Sequence, residues 1–291
     1  MAAPQDKPGR YGIWSAELRS EESALRAEIP EAAAELEELG FGAVWLGGNS
    51  AVEHAVPLIE ATSALTVATG ILSIWQHEPT DVAGQFQALD SAHPGRFVLG
   101  IGASHAKIAS QYRRPYSSMV TYLDGLDAAG VPAERVVLAA LGPKMLGLAR
   151  DRTGGAHPYL VTPEHTAQAR EILGAGPLLA PELKVVLDAD PDTARATARG
   201  YLAGYLALPN YTNSFQRLGF TEDDFAGGGS DRLIDAVYAW GTDEQIRSRV
   251  DAFHAAGADH VALQIVTPDT TLSGPASLPR AQWRRLADVL T

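Results

Sequence analysis

Eight short apolar runs punctuate the chain: "YGIW" (11–14), "AVWL" (43–46), "VATGILSIW" (67–75), "FVLGI" (97–101), "VVLAA" (136–140), "AHPYLV" (156–161), "LKVVL" (183–187) and "VALQIV" (261–266). Most are apolar throughout rather than alternating, as strands covered on both faces of a parallel sheet are. The segments between them carry helix signals. Val82, Phe86 and Leu89 recur at helical spacing. Pro30 and Glu31 suit a first helical turn, and Gly40 follows that helix's end. Thr242 and Gln245 have capping-box spacing ahead of Ile246, Val250 and Phe253, with Gly257 as the stop. Asp190-Pro191 opens a further helix, which Pro209 ends. Strands alternating with helices across 291 residues predict an α/β chain folded as one (β/α)8 TIM barrel domain over 1–291. A doubly wound open sheet would call for a glycine-rich nucleotide turn after its first strand, and "YGIWSAELRSEE" has none. Long gaps after the fourth strand and between the seventh and eighth (188–259) predict insertions, the second one helical, over the barrel mouth.

Charge and composition bound the function. A net charge of −12 argues against a broad nucleic-acid footprint. No apolar run reaches the roughly 20 residues that span a bilayer, and "MAAPQDKPGR" has no signal-peptide core. The chain has no cysteine. A cytoplasmic protein is expected, with a small-molecule substrate, no nucleic-acid or membrane partner, and a homodimer left open.

Sites on this fold lie at the C-terminal ends of the strands. In order these ends read Trp14-Ser15, Gly47-Gly48-Asn49, Ser73 to His77, Gly102 to His105, Leu141 to Lys144, Tyr159 to Thr162, Asp188, and Gln264 to Thr267. That rim is glycine-rich, aromatic and poor in carboxylates. It lacks the His and Asp of a metal hydrolase and the facing carboxylates of a glycosidase, so a bound cofactor is expected to carry the chemistry. The glycine inside the third run, Gly70, is out of place in a packed strand and points to unusual backbone there.

The ordered set "ELGFGAVWLGG", "TGILSIWQHEP", "HPGRFVLGIGASH", "LAALGPKMLGLARDRTGGAHPYLVTPEHT", "LALPNYTN" and "WGTDEQIRSRVDAFHAAGADHVALQIV" resembles the luciferase-like monooxygenase superfamily. It resembles most its actinobacterial branch of oxidoreductases that use the deazaflavin coenzyme F-420. The resemblance implies a barrel with insertions and hydride transfer between the deazaflavin and a small organic substrate. It leaves open a flavin mononucleotide-dependent monooxygenase and a catalytically silent cofactor-binding barrel.

By the same resemblance, the third strand holds a non-proline cis peptide at Gly70–Ile71 that backs the cofactor ring. The cofactor contacts carry over to Asn49, Gly70, Ile71, Ser73, Ala103, Ser104, Gly142 and Pro143, with Lys144 adding charge near the phosphate. Trp14, Trp75 and Tyr159 are the expected substrate-lining residues. Where relatives carry an acidic residue followed by His at the end of the second strand, this chain has Gly48-Asn49. Where sugar-phosphate-oxidising relatives carry a Glu after the fourth, it has His105. Acid–base work then falls to His105 or His77. His157 reads as packing, and His54, His93, His165, His254 and His260 as solvated or capping.

Overall fold

The computed structural model describes residues 8–104, 114–271 and 277–290. Its strands are β1 (Tyr11–Ser15), β2 (Ala43–Gly47), β3 (Thr66–Gly70), β4 (Leu72–Ser73), β5 (Phe97–Gly102), β6 (Val136–Leu138), β7 (Gly155–Ala156), β8 (Leu178–Leu179), β9 (Glu182–Val186), β10 (Tyr238–Trp240) and β11 (Val261–Ile265). They form one parallel sheet in the order β10-β9-β11-β1-β2-β3-β5-β6-β7-β8, with β4 beside β5. Two pairs of short strands are single barrel strands interrupted once: β3 and β4 at Ile71, and β8 and β9 at Ala180-Pro181. The second pair closes the ring. Ala180 and Glu182 donate backbone hydrogen bonds to Ala156 and Pro158 on one side, while Ala262 donates to Pro181 on the other. The outcome is the expected TIM-barrel-like α/β fold of eight barrel strands.

Side-chain alternation explains the layers. Ile13, Val44, Leu46, Val67, Val136, Leu138, Val261 and Leu263 point outward, into the main core under the helices. Trp14, Trp45, Ala68, Val137, Ala180 and Ala262 fill the barrel interior, where the alanines make room for two indoles. Between β9 and β11 the helices Pro191–Leu206, Pro209–Arg217, Glu222–Phe225 and Asp231–Val237 form the expected insertion. It has its own core around Tyr201, Leu202, Phe215, Leu233 and Ile234.

Several local expectations are corrected. Pro30 lies inside the helix Ser23–Glu38 rather than at its start. It and Arg26, whose carbonyl loses its partner there, face solvent, so water replaces the missing bond. Pro209 ends one helix and also begins the next. The sixth strand stops at Ala156, because Pro158 has no donor and Leu160 adopts φ 57°. The strand β10, which the sequence did not reveal, pairs with β9 after that early stop. His260 and His165 are buried rather than solvated. The capping box at Thr242 and Gln245 and the helical face of Val82, Phe86 and Leu89 are present as expected. Among the described residues, no helix is long and apolar enough to cross a membrane.

Candidate active site

The C-terminal ends of β2, β4 and β5 are tied into one corner. The Gly70–Ile71 peptide is cis. On one side of it, the Gly70 carbonyl accepts from Trp14 Nε1 at 3.1 Å. On the other, Ile71 N–H donates to Gly48 O and Ile71 O accepts from Ser50 N–H, both at 3.1 Å. Asn49 is half-buried and braces this corner. Its Oδ1 accepts from Ser73 N–H at 3.0 Å, and its Nδ2 donates to Gln76. Trp75 Nε1 donates to Ala103 O, linking the end of β4 to the end of β5. Ser104 follows at φ 53°. Asn49, Gly70, Ile71, Ser73, Trp75, Ala103 and Ser104 thus occupy one continuous rim, as the sequence placed them. His77 is half-buried in the turn before the helix Pro79–Ala92. His105 lies outside the described residues.

Gly48 has φ 71°, and a Cβ there would lie 2.5 Å from Arg19 Nη2. Arg19 also donates from Nε to Gly47 O at 2.6 Å. A side chain at Gly48 would therefore meet the Arg19 guanidinium. Among the described residues Arg19 makes no ion pair.

The next turn along the rim follows β6. Gly142 is the N-cap of the helix Pro143–Arg152, and no side chain caps it. The preceding carbonyl, of Leu141, accepts from His165 Nε2 at 2.9 Å and from Arg217 Nη2 at 3.2 Å. Burial lowers the His165 pKa, so that ring is a neutral donor to the carbonyl. Arg217 Nη2 lies 4.0 Å from where a Gly142 Cβ would stand. Arg217 comes from the insertion helix Pro209–Arg217, and nothing in residue type or spacing places it beside Gly142. Lys144 is exposed in the helix's first turn.

The other half of the mouth is filled by groups the sequence reading missed. Glu182 and Lys184 follow Ala180 at a spacing of two, so all three face the barrel interior. Both charged side chains are fully buried, and Lys184 Nζ contacts each Glu182 carboxylate oxygen at 3.0 Å. Burial pushes the Lys184 ammonium down to about 8 and the Glu182 carboxyl up, while their mutual attraction opposes both shifts. Lys184 Nζ stands 3.7 Å over the Tyr159 ring. Above it runs a closed circuit of hydrogen bonds. Gln264 Nε2 donates to Tyr201 OH at 2.9 Å, Tyr201 to Tyr205 at 3.1 Å, Tyr205 to Tyr159 at 2.8 Å, and Tyr159 back to Gln264 Oε1 at 2.9 Å. Desolvation raises all three phenols above their ordinary range. Tyr159 also meets Trp14, ring centres 5.1 Å apart, so the two halves of the mouth touch there.

Two cavities open at the ends of β9 and β11, of about 790 Å³ and 580 Å³. Trp14, Trp75 and Tyr159, the expected substrate-lining residues, line neither of them. Glu17 and Asp188 line the smaller one, so this part of the rim is not poor in carboxylates. Another cavity, of about 390 Å³, lies outside the end of β4 between Ile74, Glu78, Arg114 and Tyr122.

Known proteins agree with this architecture. An F-420-dependent secondary alcohol dehydrogenase, solved with an F-420–acetone adduct, is 14% identical with a TM-score of 0.72, covering 97% of this chain and 99% of that one. The coenzyme F-420-dependent tetrahydromethanopterin reductase of Methanopyrus kandleri is 15% identical with a TM-score of 0.70, covering 96% of each chain. The oxygenating constituent of 3,6-diketocamphane monooxygenase from Pseudomonas putida, solved with FMN, is 10% identical with a TM-score of 0.65, covering 97% of each. These likenesses establish the fold. No curated protein matches the sequence. The luciferase-like monooxygenase family model matches residues 14–126 and 116–260, and the chain belongs to that family.

Proposed function

We propose that the protein is an oxidoreductase passing hydride between the deazaflavin coenzyme F-420 and a small organic substrate at the C-terminal face of the barrel. The observation that carries this reading is the braced corner of Gly48, Asn49, Ile71 and Ser73. Its hydrogen bonds are internal, so it offers a rigid backbone wall rather than reactive side chains. That suits a cofactor that brings its own chemistry.

The adjoining turn fits the cofactor's phosphate. The helix Pro143–Arg152 begins without a side-chain cap, which leaves its first N–H groups available to an anion, and Arg217 stands beside them. When bound, a deazaflavin supplies two-electron hydride chemistry, because carbon stands where flavin has its reactive nitrogen. The chain's part is then to position and to exclude water. Trp14 holds the Gly70 carbonyl, Trp75 holds the Ala103 carbonyl, and the tyrosine circuit closes the opposite half of the mouth. The likeness to two F-420-dependent proteins supports the coenzyme assignment. Calorimetric titration with oxidised F-420 and with FMN tests it. Tighter binding of F-420 is expected. Absent or equal binding of F-420 counts against the reading, and a preference for FMN favours the monooxygenase reading.

A further inference from the structure

We propose that Arg19 is a specificity-determining residue of the active site, and that its guanidinium holds a carboxylate carried by the substrate. The proposal rests on the hydride-transfer reading and adds the substrate class to it: a small carboxylic acid with a carbon able to take or give hydride.

Arg19 ends the short 3-10 helix Glu17–Arg19 that follows β1, and its side chain reaches the end of the neighbouring strand, β2. Nε donates to Gly47 O at 2.6 Å. Nη2 lies beside Gly48, where a Cβ would stand 2.5 Å from it. The guanidinium is therefore seated on backbone, and the glycine at 48 leaves room for that seat. Gly48 O accepts from Ile71 N–H at 3.1 Å. The residue that borders the guanidinium thus also borders the cis peptide of the cofactor corner.

What this cation lacks is an anion. The chain has 35 Asp and Glu against 23 Lys and Arg, yet among the described residues none pairs with Arg19. The two acids nearest in sequence are held elsewhere. Glu17 is bonded to Ser15 Oγ, and Glu21 lies 3.6 Å from His54 Nε2. Residues two apart in a 3-10 helix point in directions about 120° apart, which keeps Glu17 off the guanidinium. Arg19 is half-buried, and burial lowers its pKa while Glu17 and Glu21 oppose the shift from a distance.

An arginine has five N–H bonds. With Nε engaged, those on Nη1 and Nη2 remain, and none has a partner among the described residues. They form an end-on fork that matches the two oxygens of a carboxylate. No second Lys or Arg acts on this site, so it suits one negative charge rather than two. The cofactor's phosphate is not that charge. Its proposed turn follows β6, and β3 and β5 stand between β6 and β2 at about 4.8 Å per strand. An anion at Arg19 then belongs to the substrate, held by one end while the rest of it meets the cofactor.

Binding of simple aromatic probes tests this without a known substrate. Benzoate, benzamide and phenyl phosphate are titrated calorimetrically into the protein loaded with oxidised F-420, whose phosphate fills the turn after β6, and into the cofactor-free protein. Benzoate is expected to bind the wild type about tenfold tighter than benzamide, and tighter than phenyl phosphate. Arg19→Met is expected to abolish the preference over benzamide, and Arg19→Lys, which keeps the charge without the fork, to retain part of it. Equal binding of benzoate and benzamide to the wild type overturns the proposal, as does a preference that survives in Arg19→Met. Tightest binding of phenyl phosphate overturns the substrate class. A loss of F-420 affinity in Arg19→Met places the guanidinium on the cofactor and overturns its assignment to the substrate. Should melting curves show that Arg19→Met does not fold, Arg19→Lys decides, and an undiminished preference there overturns the fork. If F-420 does not bind the wild type, the hydride-transfer reading fails, while the cofactor-free titrations still show whether Arg19 holds a carboxylate.

Discussion

Lys184 Nζ stands 3.7 Å above the centre of the Tyr159 ring, and this contact joins the buried charge pair inside the barrel to the aromatic half of its mouth. The ammonium has three N–H bonds to place. Glu182 takes contacts at both carboxylate oxygens, and the ring face lies over the remaining direction. Glu182 in turn accepts from Leu160 N–H at 3.0 Å, which pins the left-handed residue that follows Tyr159. Removing one member of this group should therefore be felt at the rim as well as in the core.

Breaking the pair from one side is expected to be costly. Lys184→Met leaves the fully buried Glu182 carboxyl without its cation, a loss of about 3–5 kcal/mol by analogy with other buried pairs. The double variant Glu182→Gln/Lys184→Met removes both charges and should recover much of that loss. Urea unfolding of the wild type, the single and the double variant measures it. A single variant as stable as the wild type would show that the pair does not hold the barrel together.

A second prediction concerns acid. Burial pushes both His157 and His260 down to about 4. His157 is stacked on Trp45 at 4.1 Å, and His260 Nε2 accepts from Trp45 Nε1 at 3.0 Å while Nδ1 donates to Gly9 O at 2.9 Å. The folded chain keeps these rings neutral, while the unfolded chain takes up protons at the ordinary histidine value near 6.5. The stabilisation is therefore complete above about 6.5 and is lost as the pH falls toward about 4. The melting temperature should drop across this window, and His260→Asn should flatten the slope. An unchanged slope would mean that other groups set the acid limit.

The fold was legible because it rests on local patterns. Outward-facing Ile13, Val44, Val67, Val136 and Leu263 make the strands read as apolar runs, and caps such as Thr242 mark helices without tertiary help. The corner at Asn49, Ile71 and Ser73 was legible only through family resemblance, since nothing in residue type announces a hydrogen bond from Ser73 to a side chain in the loop after another strand. The second half of the mouth stayed hidden for a different reason. "ELKVV" looks like an apolar strand interrupted by two charges, yet its alternation from Ala180 turns both of them inward, where only a partner two residues away makes burial tolerable. Tyr201 and Tyr205 reach Tyr159 across more than forty residues of sequence, a contact set by how the insertion packs rather than by spacing. Arg217 is the same case.

Gly70 offers a steric test of the cofactor corner. A Cβ there would meet Trp14 Nε1 at 3.2 Å and Trp45 Cβ at 3.4 Å. Gly70→Val adds two more carbons to that contact and should displace the Trp14 indole from the Gly70 carbonyl. F-420 affinity is expected to fall at least tenfold, with intrinsic tryptophan fluorescence altered. Gly84→Val is the control, because a Cβ at Gly84, in the helix Pro79–Ala92, meets nothing within 4 Å. Equal losses of affinity in the two variants would mean that the corner does not face the cofactor.

Arg217 tests the phosphate end of the same site. It belongs to the insertion, but its Nη2 bonds the Leu141 carbonyl at 3.2 Å and overhangs the uncapped start of the helix Pro143–Arg152. The Leu141 carbonyl keeps its bond from His165 if Arg217 is removed, so the turn itself should survive. What Arg217→Gln removes is a positive charge beside free N–H groups. A phosphate bound there would lose one charge-assisted contact, worth about 1.4 kcal/mol or a tenfold rise in Kd. A deazaflavin without its phosphate should bind wild type and variant alike. Titrating both ligands against both proteins gives the four affinities needed. If Arg217→Gln weakens the two ligands equally, or neither, the phosphate does not lie at this turn, and the assignment of Gly142 and Pro143 as cofactor contacts fails with it.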